Sequence, residues 1–482
     1  MKEELNLLKP EKVFKYFAEI LEIPRPSKKE EKMTAYLMDW GTKRGLETLR
    51  DDIGNVIIRK PATKGMEAKP SVCLQSHMDM VCEKNSDKVF DFEKDAIETF
   101  VEDGWLKAKG TTLGADDGIG VATQLAILDS DDIEHGAIEC LFTVDEETGL
   151  SGAEALSSEV LKSRILLNLD SEDEGEIFIG CAGGKDTLGK LPFEKEETPE
   201  GTAFKITVKG LKGGHSGDDI NKGLANANKV LNRVLWTLDR EMDMCLAGFE
   251  GGNLRNAIAR EAKAVIVVSK EEADDCVAIV NKFAKDVKFE FRSTEPNMEV
   301  SINLTENPEF VIDFLSQDNL LNLIYALPHG VLAMSREIPN FVETSTNLAS
   351  IKMVDDCFVI ATSQRSSLES AKEAACDKNA ACFLLAGADV SHGDGYPGWA
   401  PNPDSKILKI AKESYERLFG KTPVVRAIHA GLECGLIGEK YPEMDMISYG
   451  PTLRGVHSPE ERLEIKTVEM FWAHTLDILK NL

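Results

Sequence analysis

Four short apolar runs of the sequence each end next to side chains that commonly bind metal ions. The runs are rich in aliphatic and β-branched residues, which favours buried strands. They are SVCLQS before His77 and Asp79, IECLFTV before Asp145, Glu146 and Glu147, RILLNL before Asp170, and MDMISYG, which leads through PTLRG to His457. In an open α/β sheet, ligands bind in the crevice outside the carboxyl ends of the strands. Side chains placed there by several strands can therefore converge although they are distant in sequence.

The sequence around these runs predicts helices, so that strand and helix alternate along the chain. Residues 7–23, LLKPEKVFKYFAEILEI, have an amphipathic helical pattern with Pro10 in the first turn. ADDGIGVATQLAILDS predicts a helix that begins near Gly118 and has one apolar face. This alternation predicts an α/β fold in which helices cover a parallel or mixed sheet.

The chain has 482 residues, too many for one ordinary hydrophobic core, so we expect two domains. Two polar segments rich in glycine and proline, 183–204 and 391–406, are candidate boundaries. Between them, residues 264–291 and 357–390 each have a strand–helix–strand pattern, which suggests an α+β domain with internal duplication. The predicted domains are a discontinuous first domain at 1–186 and 395–482, and an inserted domain at 187–394.

The formal net charge of −27 restricts the possible partners. Nucleic acids and anionic membrane surfaces attract an excess of lysine and arginine, so we expect neither as a partner. Charges interrupt the first residues where a signal peptide needs an apolar segment, and no apolar run is as long as a membrane span. The ten cysteines form no CxxC pair, as expected for reduced cysteines of a cytoplasmic protein.

A fifth candidate ligand, Asp116, opens the helix in GTTLGADDGIG, where flanking glycines let the backbone turn sharply. The candidate ligands are then two imidazoles and several carboxylates without a thiolate, which suits zinc, cobalt or manganese. A carboxylate shared by two cations would make a two-metal hydrolase site. In the pair Glu146-Glu147, one side chain would bind a cation and the other would accept a proton from water. The alternative is that residues 145–147 form only a solvated turn.

Ordered motifs along essentially the whole chain resemble those of the M20 metallopeptidase family, and within it the bacterial aminoacyl-histidine dipeptidases. The motifs are IPRPS, SHMDMV, GADDGIG, DEETGLSGA, NLDSEDEGE, KGLKGGHSG, GGNLRNAIAR, HAGLECG and GPTLRGVHSPEE. The resemblance implies a zinc-exopeptidase-like catalytic domain of α/β class, with a mixed, mostly parallel sheet between helices. It also implies that the insertion is an α+β lid domain.

The same resemblance implies a role for each polar residue at the predicted strand ends. The implied metal ligands are His77 and Asp170 for one ion, Glu147 and His457 for the other, and Asp116 bridging both. Asp79 would orient the imidazole of His77, and Glu146 would be the general base. The peptide bond between Asp116 and Asp117 is often cis in this family.

In the inserted domain, the resemblance implies residues that contact the substrate. His215 in GGHSG would stabilise the tetrahedral oxyanion. Asn256 in LRNAI and Arg365 in SQRSS would hold the terminal carboxylate, a task that suits the fork of an arginine. Outside the inserted domain, Gly431 and Glu433 in HAGLECG are also expected to bind substrate. Without the motif context, GGHSG could be only a turn and Arg365 only a surface cation.

The resulting expectation is a dipeptidase that hydrolyses short peptides, Xaa-His dipeptides among them, with two divalent metal ions, zinc or else cobalt or manganese. In shorter family members a histidine from a second subunit enters the site, whereas the longer, duplicated insertion could supply His215 within one chain. A homodimer is therefore left open. One alternative is an N-acyl amino acid deacylase of the same fold. Others are a non-catalytic metal-binding protein and a nucleotide-binding protein that uses GTTLGADDGIG, although this stretch lacks the Lys-Ser/Thr of a P-loop.

Overall fold

Strands form where the sequence has its short apolar runs, in a computed structural model that describes residues 5–482. In chain order the strands are β1 Glu47–Arg50, β2 Val56–Lys60, β3 Val72–His77, β4 Thr99–Glu102, β5 Trp105–Ala108, β6 Ile138–Thr143, β7 Ile165–Asn168, β8 Glu176–Cys181, β9 Gly183–Pro192, β10 Lys195–Glu197, β11 Thr202–Lys209, β12 Met244–Gly251, β13 Ala262–Val268, β14 Glu299–Leu304, β15 Phe310–Ile312, β16 Gly330–Met334, β17 Val342–Val354, β18 Cys357–Ser366, β19 Asp389–His392, β20 Val424–Ile428, β21 Asp445–Ser448, β22 Leu453–Arg454 and β23 Arg462–Glu464.

Helices occupy the segments with helical periodicity. Their bounds are α1 Glu11–Ile20, α2 Glu31–Lys43, α3 Ala115–Leu128, α4 Glu146–Gly149, α5 Ser151–Ala155, α6 Ala227–Glu241, α7 Ala273–Glu290, α8 Phe314–Ala326, α9 Glu369–Leu385, α10 Lys406–Phe419, α11 Glu433–Lys440 and α12 Ile465–Asn481. Pro10 is the residue before α1, where a missing N–H does no harm. In α3, Asp116 and Asp117 have non-helical backbone angles, so regular helix begins at Gly118, as the sequence predicts.

The chain divides into two compact units. The first contains the chain up to Gly180 together with Trp399–Ala427 and Leu432–Leu482. The second contains Cys181–Gly398 and the short segment Ile428–Gly431. None of the helices within residues 5–482 is both long and apolar enough to cross a membrane.

The first unit is built on an eight-stranded mixed sheet, which confirms the predicted fold class. Its strand order is β1-β2-β6-β3-β7-β21-β8-β20. The neighbours β6, β3, β7 and β21 run parallel, and antiparallel strands flank them on both sides. Every residue of β3 and β6 is buried, because both faces of a parallel sheet are covered. This burial explains why their sequences are nearly continuous apolar runs.

The four parallel strands are the four runs that precede the candidate ligands. Because they run parallel, their carboxyl ends lie at one edge of the sheet. The register aligns His77 with Thr143, and Gln75 with Asn168. The residues that follow these strands are thereby brought to the same edge.

The second unit is built on a nine-stranded sheet of order β14-β11-β13-β12-β17-β18-β9-β19, with β16 paired to β17. The segment β11–α6–β12–β13–α7–β14 is inserted into β9–α8–β17–β18–α9–β19, and the two sets share one order of elements. Corresponding strands of the two sets also occupy matching positions in the sheet. Outwards from the β12–β17 pair, one set has the order β12, β13, β11, β14 and the other has the order β17, β18, β9, β19. The core of this unit includes Ile206, Leu235, Ile266 and Phe358.

One local prediction for the second unit is wrong. The end of the segment 264–291 was predicted to be a strand, but α7 continues to Glu290 and the next strand is β14. Aromatic residues near Glu290 favour a strand locally, but here they continue a helix. The segment 183–204, predicted to be a polar boundary, begins just after the division between the units at Gly180 and Cys181, and it contains β9, which pairs with both β18 and β19 inside the sheet. Its many polar residues reflect alternation along a strand.

Candidate metal centre and substrate-binding residues

The five predicted metal ligands lie together in the first unit. His77 Nε2 is 3.1 Å from Asp116 Oδ1 and 3.5 Å from Asp170 Oδ1. His457 Nε2 is 3.2 Å from Asp116 Oδ2 and 3.0 Å from Glu147 Oε2. These residues form two triads of potential ligand atoms, each with its atoms within 4.8 Å of one another, and Asp116 belongs to both. The two oxygens of Asp116 thus face opposite triads.

Each ligand is placed by the end of a regular element. His77 is the last residue of β3, and Asp170 follows β7. Glu147 lies in the one-turn helix α4, and Asp116 lies in the non-helical start of α3. His457, which follows β22, has a left-handed φ of 61°. The bond between Asp116 and Asp117 is cis, as the resemblance implies.

The cluster carries an excess of negative charge. Burial raises the pKa of Asp170 to about 7 and that of Glu146 well above its usual range. Hydrogen bonds to Asp116 and Glu147 raise the pKa of His457 to about 11. Burial would lower the pKa of His77, but its carboxylate neighbours together raise it well above its usual range.

These observations fit a pair of divalent cations. Carboxylates outnumber imidazoles, and Glu147 Oε1 is buried without a hydrogen-bond partner among residues 5–482. A buried polar or charged atom without a partner is unfavourable, and a cation would satisfy it. Nitrogen and oxygen donors without cysteine match zinc, cobalt or manganese.

Asp79 contacts the residues of the candidate centre through both of its carboxylate oxygens. Its Oδ1 is 3.4 Å from His77 Nδ1, longer than a strong hydrogen bond, and it accepts the backbone N–H of Glu146 at 3.1 Å. Its Oδ2 accepts from the N–H of Glu147 at 3.3 Å and from the hydroxyl of Ser27 at 2.7 Å. One fully buried carboxylate thereby contacts both the first ligand and the acidic pair.

Arg25 and Glu461, to which the sequence assigned no role, hold the loop that carries Asp116. Arg25 is 2% exposed and donates to the carbonyls of Met78, Asp79 and Gly114. The carboxylate of Glu461 accepts the backbone N–H groups of residues 113–116 at 2.8 to 3.3 Å. Both residues lie in motifs of the resemblance, IPRPS and GPTLRGVHSPEE, and only those motifs could have drawn attention to them.

Glu433 does not fit its predicted contact with substrate, because its side chain is fully buried. Its Oε2 accepts hydrogen bonds from Gln75 Nε2 at 2.6 Å and from Thr143 Oγ1 at 2.8 Å, below the strand ends. Gln75 in turn accepts from Asn168 Nδ2 at 2.6 Å. Glu433 therefore ends a buried polar network across β6, β3 and β7.

In the second unit, the segments that carry His215, Asn256 and Arg365 meet. The N–H of Ser216 donates to the carbonyl of Asn256 at 2.8 Å, and Arg365 Nε lies 3.4 Å from Ser216 Oγ. The side chain of Asn256 is exposed.

His215 is held in one tautomer by the following turn. Its Nδ1 accepts the backbone N–H groups of Gly217 at 3.3 Å and Asp218 at 3.2 Å, so the ring proton lies on Nε2. Burial, and then Arg365, lower the pKa of His215. The ring is therefore a neutral donor whose Nε2–H forms no hydrogen bond within residues 5–482.

Comparison with known proteins gives the family. The chain belongs to peptidase family M20/M25/M40, whose family model matches residues 73–480. The cytosol non-specific dipeptidase of Escherichia coli (strain K12) is 43% identical over 480 residues, which is 99% of each chain. The aminoacylhistidine dipeptidase of Vibrio alginolyticus has 41% identity and a TM-score of 0.94, over 100% of this chain and 99% of that one. The resemblance inferred from the motifs is thus confirmed.

The fold extends to more distant proteins. The structure of aminopeptidase PepT from Bacillus cereus has 19% identity and a TM-score of 0.58, over 98% of this chain and 99% of that one. At this identity the likeness concerns the fold alone.

Proposed function

We propose that this chain is a metal-dependent dipeptidase, that it uses two divalent cations, and that Xaa-His dipeptides are among its substrates. The observation that carries the proposal is Asp116, which belongs to two ligand triads and whose two carboxylate oxygens lie beside different imidazoles. Both full-length relatives bear the names of dipeptidases, one of them non-specific and the other aminoacylhistidine-directed. These names support dipeptides as the substrate class. Because one name is non-specific and the other names one kind of dipeptide, the preferred dipeptide must be determined by assay.

His77 and Asp170 would hold one cation, His457 and Glu147 the other, and Asp116 both. When bound, the cations would acidify a water molecule and polarise the scissile carbonyl. We propose zinc, with cobalt or manganese able to replace it, because these ions suit the donor set.

Glu146 is the proposed general base. It lies beside the ligands His77 and Glu147, and its backbone is held by Asp79. Its carboxylate would take the proton of the attacking water and pass it to the leaving amine. Asp79 keeps Glu146 and the ring of His77 in place during both transfers.

Residues of the second unit would bind the substrate. His215 would donate its Nε2–H to the oxyanion of the tetrahedral species. Arg365 and Asn256 would hold the terminal carboxylate, which would limit the substrate to short peptides. We therefore propose that the second unit acts as the substrate-binding lid, that the first is the catalytic domain, and that the lid closes over the substrate.

The experiment combines metal analysis with a substrate panel. Purified protein is expected to contain two divalent ions per chain and to hydrolyse alanyl-histidine and related dipeptides faster than N-acetyl amino acids. The variant His457→Ala should retain one ion, because the other triad is intact. Faster hydrolysis of N-acetyl amino acids would instead identify a deacylase, and bound metal without turnover would identify a non-catalytic metal-binding protein.

A small peptide is the proposed partner, and the cytoplasm is the proposed location, in line with the name of the Escherichia coli relative. A homodimer is a further proposal, which sedimentation can test. The net charge of −27 disfavours nucleic acid and anionic membranes.

A further inference from the structure

Arg365 is a buried cation without an anionic partner. The residue is 6% exposed, and within residues 5–482 its guanidinium forms no ion pair with a carboxylate. Its two side-chain contacts are with neutral oxygens, Ser216 Oγ at 3.4 Å and the hydroxyl of Tyr396 at 3.0 Å. An unpaired buried charge is unfavourable, so an anionic ligand would be bound strongly here.

Tyr396 supplies a second donor beside this cation. Its oxygen accepts a hydrogen bond from Arg365 Nη1, so its own O–H proton must point elsewhere. Within residues 5–482 this hydroxyl donates to no protein group, although burial raises the pKa of the phenol and keeps it protonated. A protonated donor next to a guanidinium is suited to an oxygen anion.

The ring of Tyr396 is fixed in a narrow slot between two glycines. A Cβ at Gly431 would lie 2.9 Å from its Cε2, and one at Gly184 would lie 2.8 Å from its Cζ. Its backbone forms hydrogen bonds in both directions with Gly184, at 2.8 and 3.1 Å. Because Gly184 is paired with Arg365 in the sheet, the position of the hydroxyl is tied to that of the guanidinium.

We propose that the hydroxyl of Tyr396 binds the C-terminal carboxylate of the substrate together with Arg365, and so selects peptides with a free C-terminus. This inference rests on the proposed function and adds a specificity-determining residue to it. Arg365 provides the charge, and Tyr396 provides a second, directional hydrogen bond to the same anion. The segment 391–406, which the sequence suggested was only a domain boundary, supplies this residue.

The test compares two substrates that differ only at the carboxylate. The variant Tyr396→Phe keeps the ring in its slot and removes the hydroxyl. For alanyl-histidine we expect kcat/KM to fall about 10- to 100-fold, mainly through KM, as for loss of a hydrogen bond to a charged group. For the C-terminal amide of alanyl-histidine we expect the wild type and the variant to differ by less than about twofold, because the anion is absent.

The matched control is Tyr325→Phe, at an exposed tyrosine of the same unit. This variant should leave kcat/KM unchanged for both substrates. Binding of histidine and of histidinamide, measured by calorimetry, gives a second readout that does not require turnover. Equal losses on acid and amide would show that the phenol is only structural, and no loss on the acid would show that it does not contact the carboxylate. Either result overturns the inference.

Failure of the proposed function would look different. If the wild type hydrolyses N-acetylhistidine but no dipeptide, the dipeptidase proposal fails. In that case Tyr396 is still tested by the ratio of kcat/KM for N-acetylhistidine to kcat/KM for its C-terminal amide. The calorimetric comparison of histidine with histidinamide also still applies.

Discussion

Each unit contains a buried cluster with unbalanced charge, and these two clusters have opposite signs. In the first unit, Asp79, Asp116, Glu146, Glu147 and Asp170 surround two imidazoles. In the second unit, Arg365 has only neutral hydrogen-bond partners among the described residues. Because an unbalanced buried charge is unfavourable, each cluster fits a ligand of the opposite sign. The first cluster thus suits cations and the second a carboxylate.

The clusters also differ in how they are held. The loop of Asp116 is fixed through backbone groups, with the carboxylate of Glu461 on four amides and Arg25 on neighbouring carbonyls. Arg365 is fixed by two side-chain contacts and by the ring of Tyr396 in its slot. We therefore expect variants of the first cluster to affect metal binding and chemistry, and those of the second to affect KM and substrate choice.

Removal of the metal ions is expected to have the largest effect. Dialysis against a chelator should abolish turnover, because it removes the cations that would acidify the water and polarise the scissile carbonyl. At a free metal concentration of about 1,000 Kd, binding should stabilise the protein by about 4 kcal/mol, which the chelated protein loses. Thermal unfolding with and without added zinc measures this difference. Identical unfolding and turnover in both samples would refute a metal centre.

Glu146→Gln should have the next largest effect. This variant separates catalysis from metal binding, because it changes the proposed base and none of the proposed ligands. Without a base, kcat is expected to fall by about two to four orders of magnitude. The metal content should stay at the wild-type value, because the five proposed ligands are unchanged. Glu154→Gln, an exposed glutamate of α5, is the matched control. Turnover close to that of the wild type would exclude Glu146 as the base.

Asp79→Asn tests whether the charge behind the ligands matters. The amide keeps the shape of the side chain, but it no longer attracts the ring proton of His77. We expect metal affinity or activity to fall about 10- to 100-fold, the usual effect of such outer partners. Competition with a metal-sensitive dye measures the affinity. If the affinity does not change, Asp79 acts only as an acceptor for the backbone of the acidic pair.

The candidate metal centre could be predicted from sequence because its signal is local. His77, Asp170 and the acidic pair each follow an apolar run, and parallel strands place such positions at one edge. The signal is weaker for residues that act on distant backbone groups. Glu461 bonds to residues 113–116, and nothing local marks that pairing. The motif HAGLECG implies that Glu433 binds substrate, but its Oε2 accepts hydrogen bonds from buried side chains of β3 and β6.

Tyr396 was missed for a related reason. Its segment is rich in glycine and proline and was interpreted as a domain boundary, whereas in the structure its backbone pairs with Gly184 of β9. The strand β9 was itself hidden by its polar composition. Composition therefore indicated where the inserted unit begins and ends. It did not indicate that these end segments form part of the sheet or that one of them carries Tyr396.

Gly431→Ala is the smallest and most specific test of the second cluster. The added Cβ, 2.9 Å from Tyr396 Cε2, must displace the ring and move its hydroxyl away from Arg365. We expect KM for alanyl-histidine to rise about fivefold, the effect of one weakened hydrogen bond of about 1 kcal/mol. Gly438→Ala is the control, because its Cβ would meet only the flexible end of Met446. If Gly431 acts through Tyr396, the double variant Gly431→Ala/Tyr396→Phe should have the same KM for alanyl-histidine as Tyr396→Phe alone. The reason is that the two changes remove the same interaction. Additive losses would mean that Gly431 contributes by a separate route, such as direct contact of its backbone with the substrate.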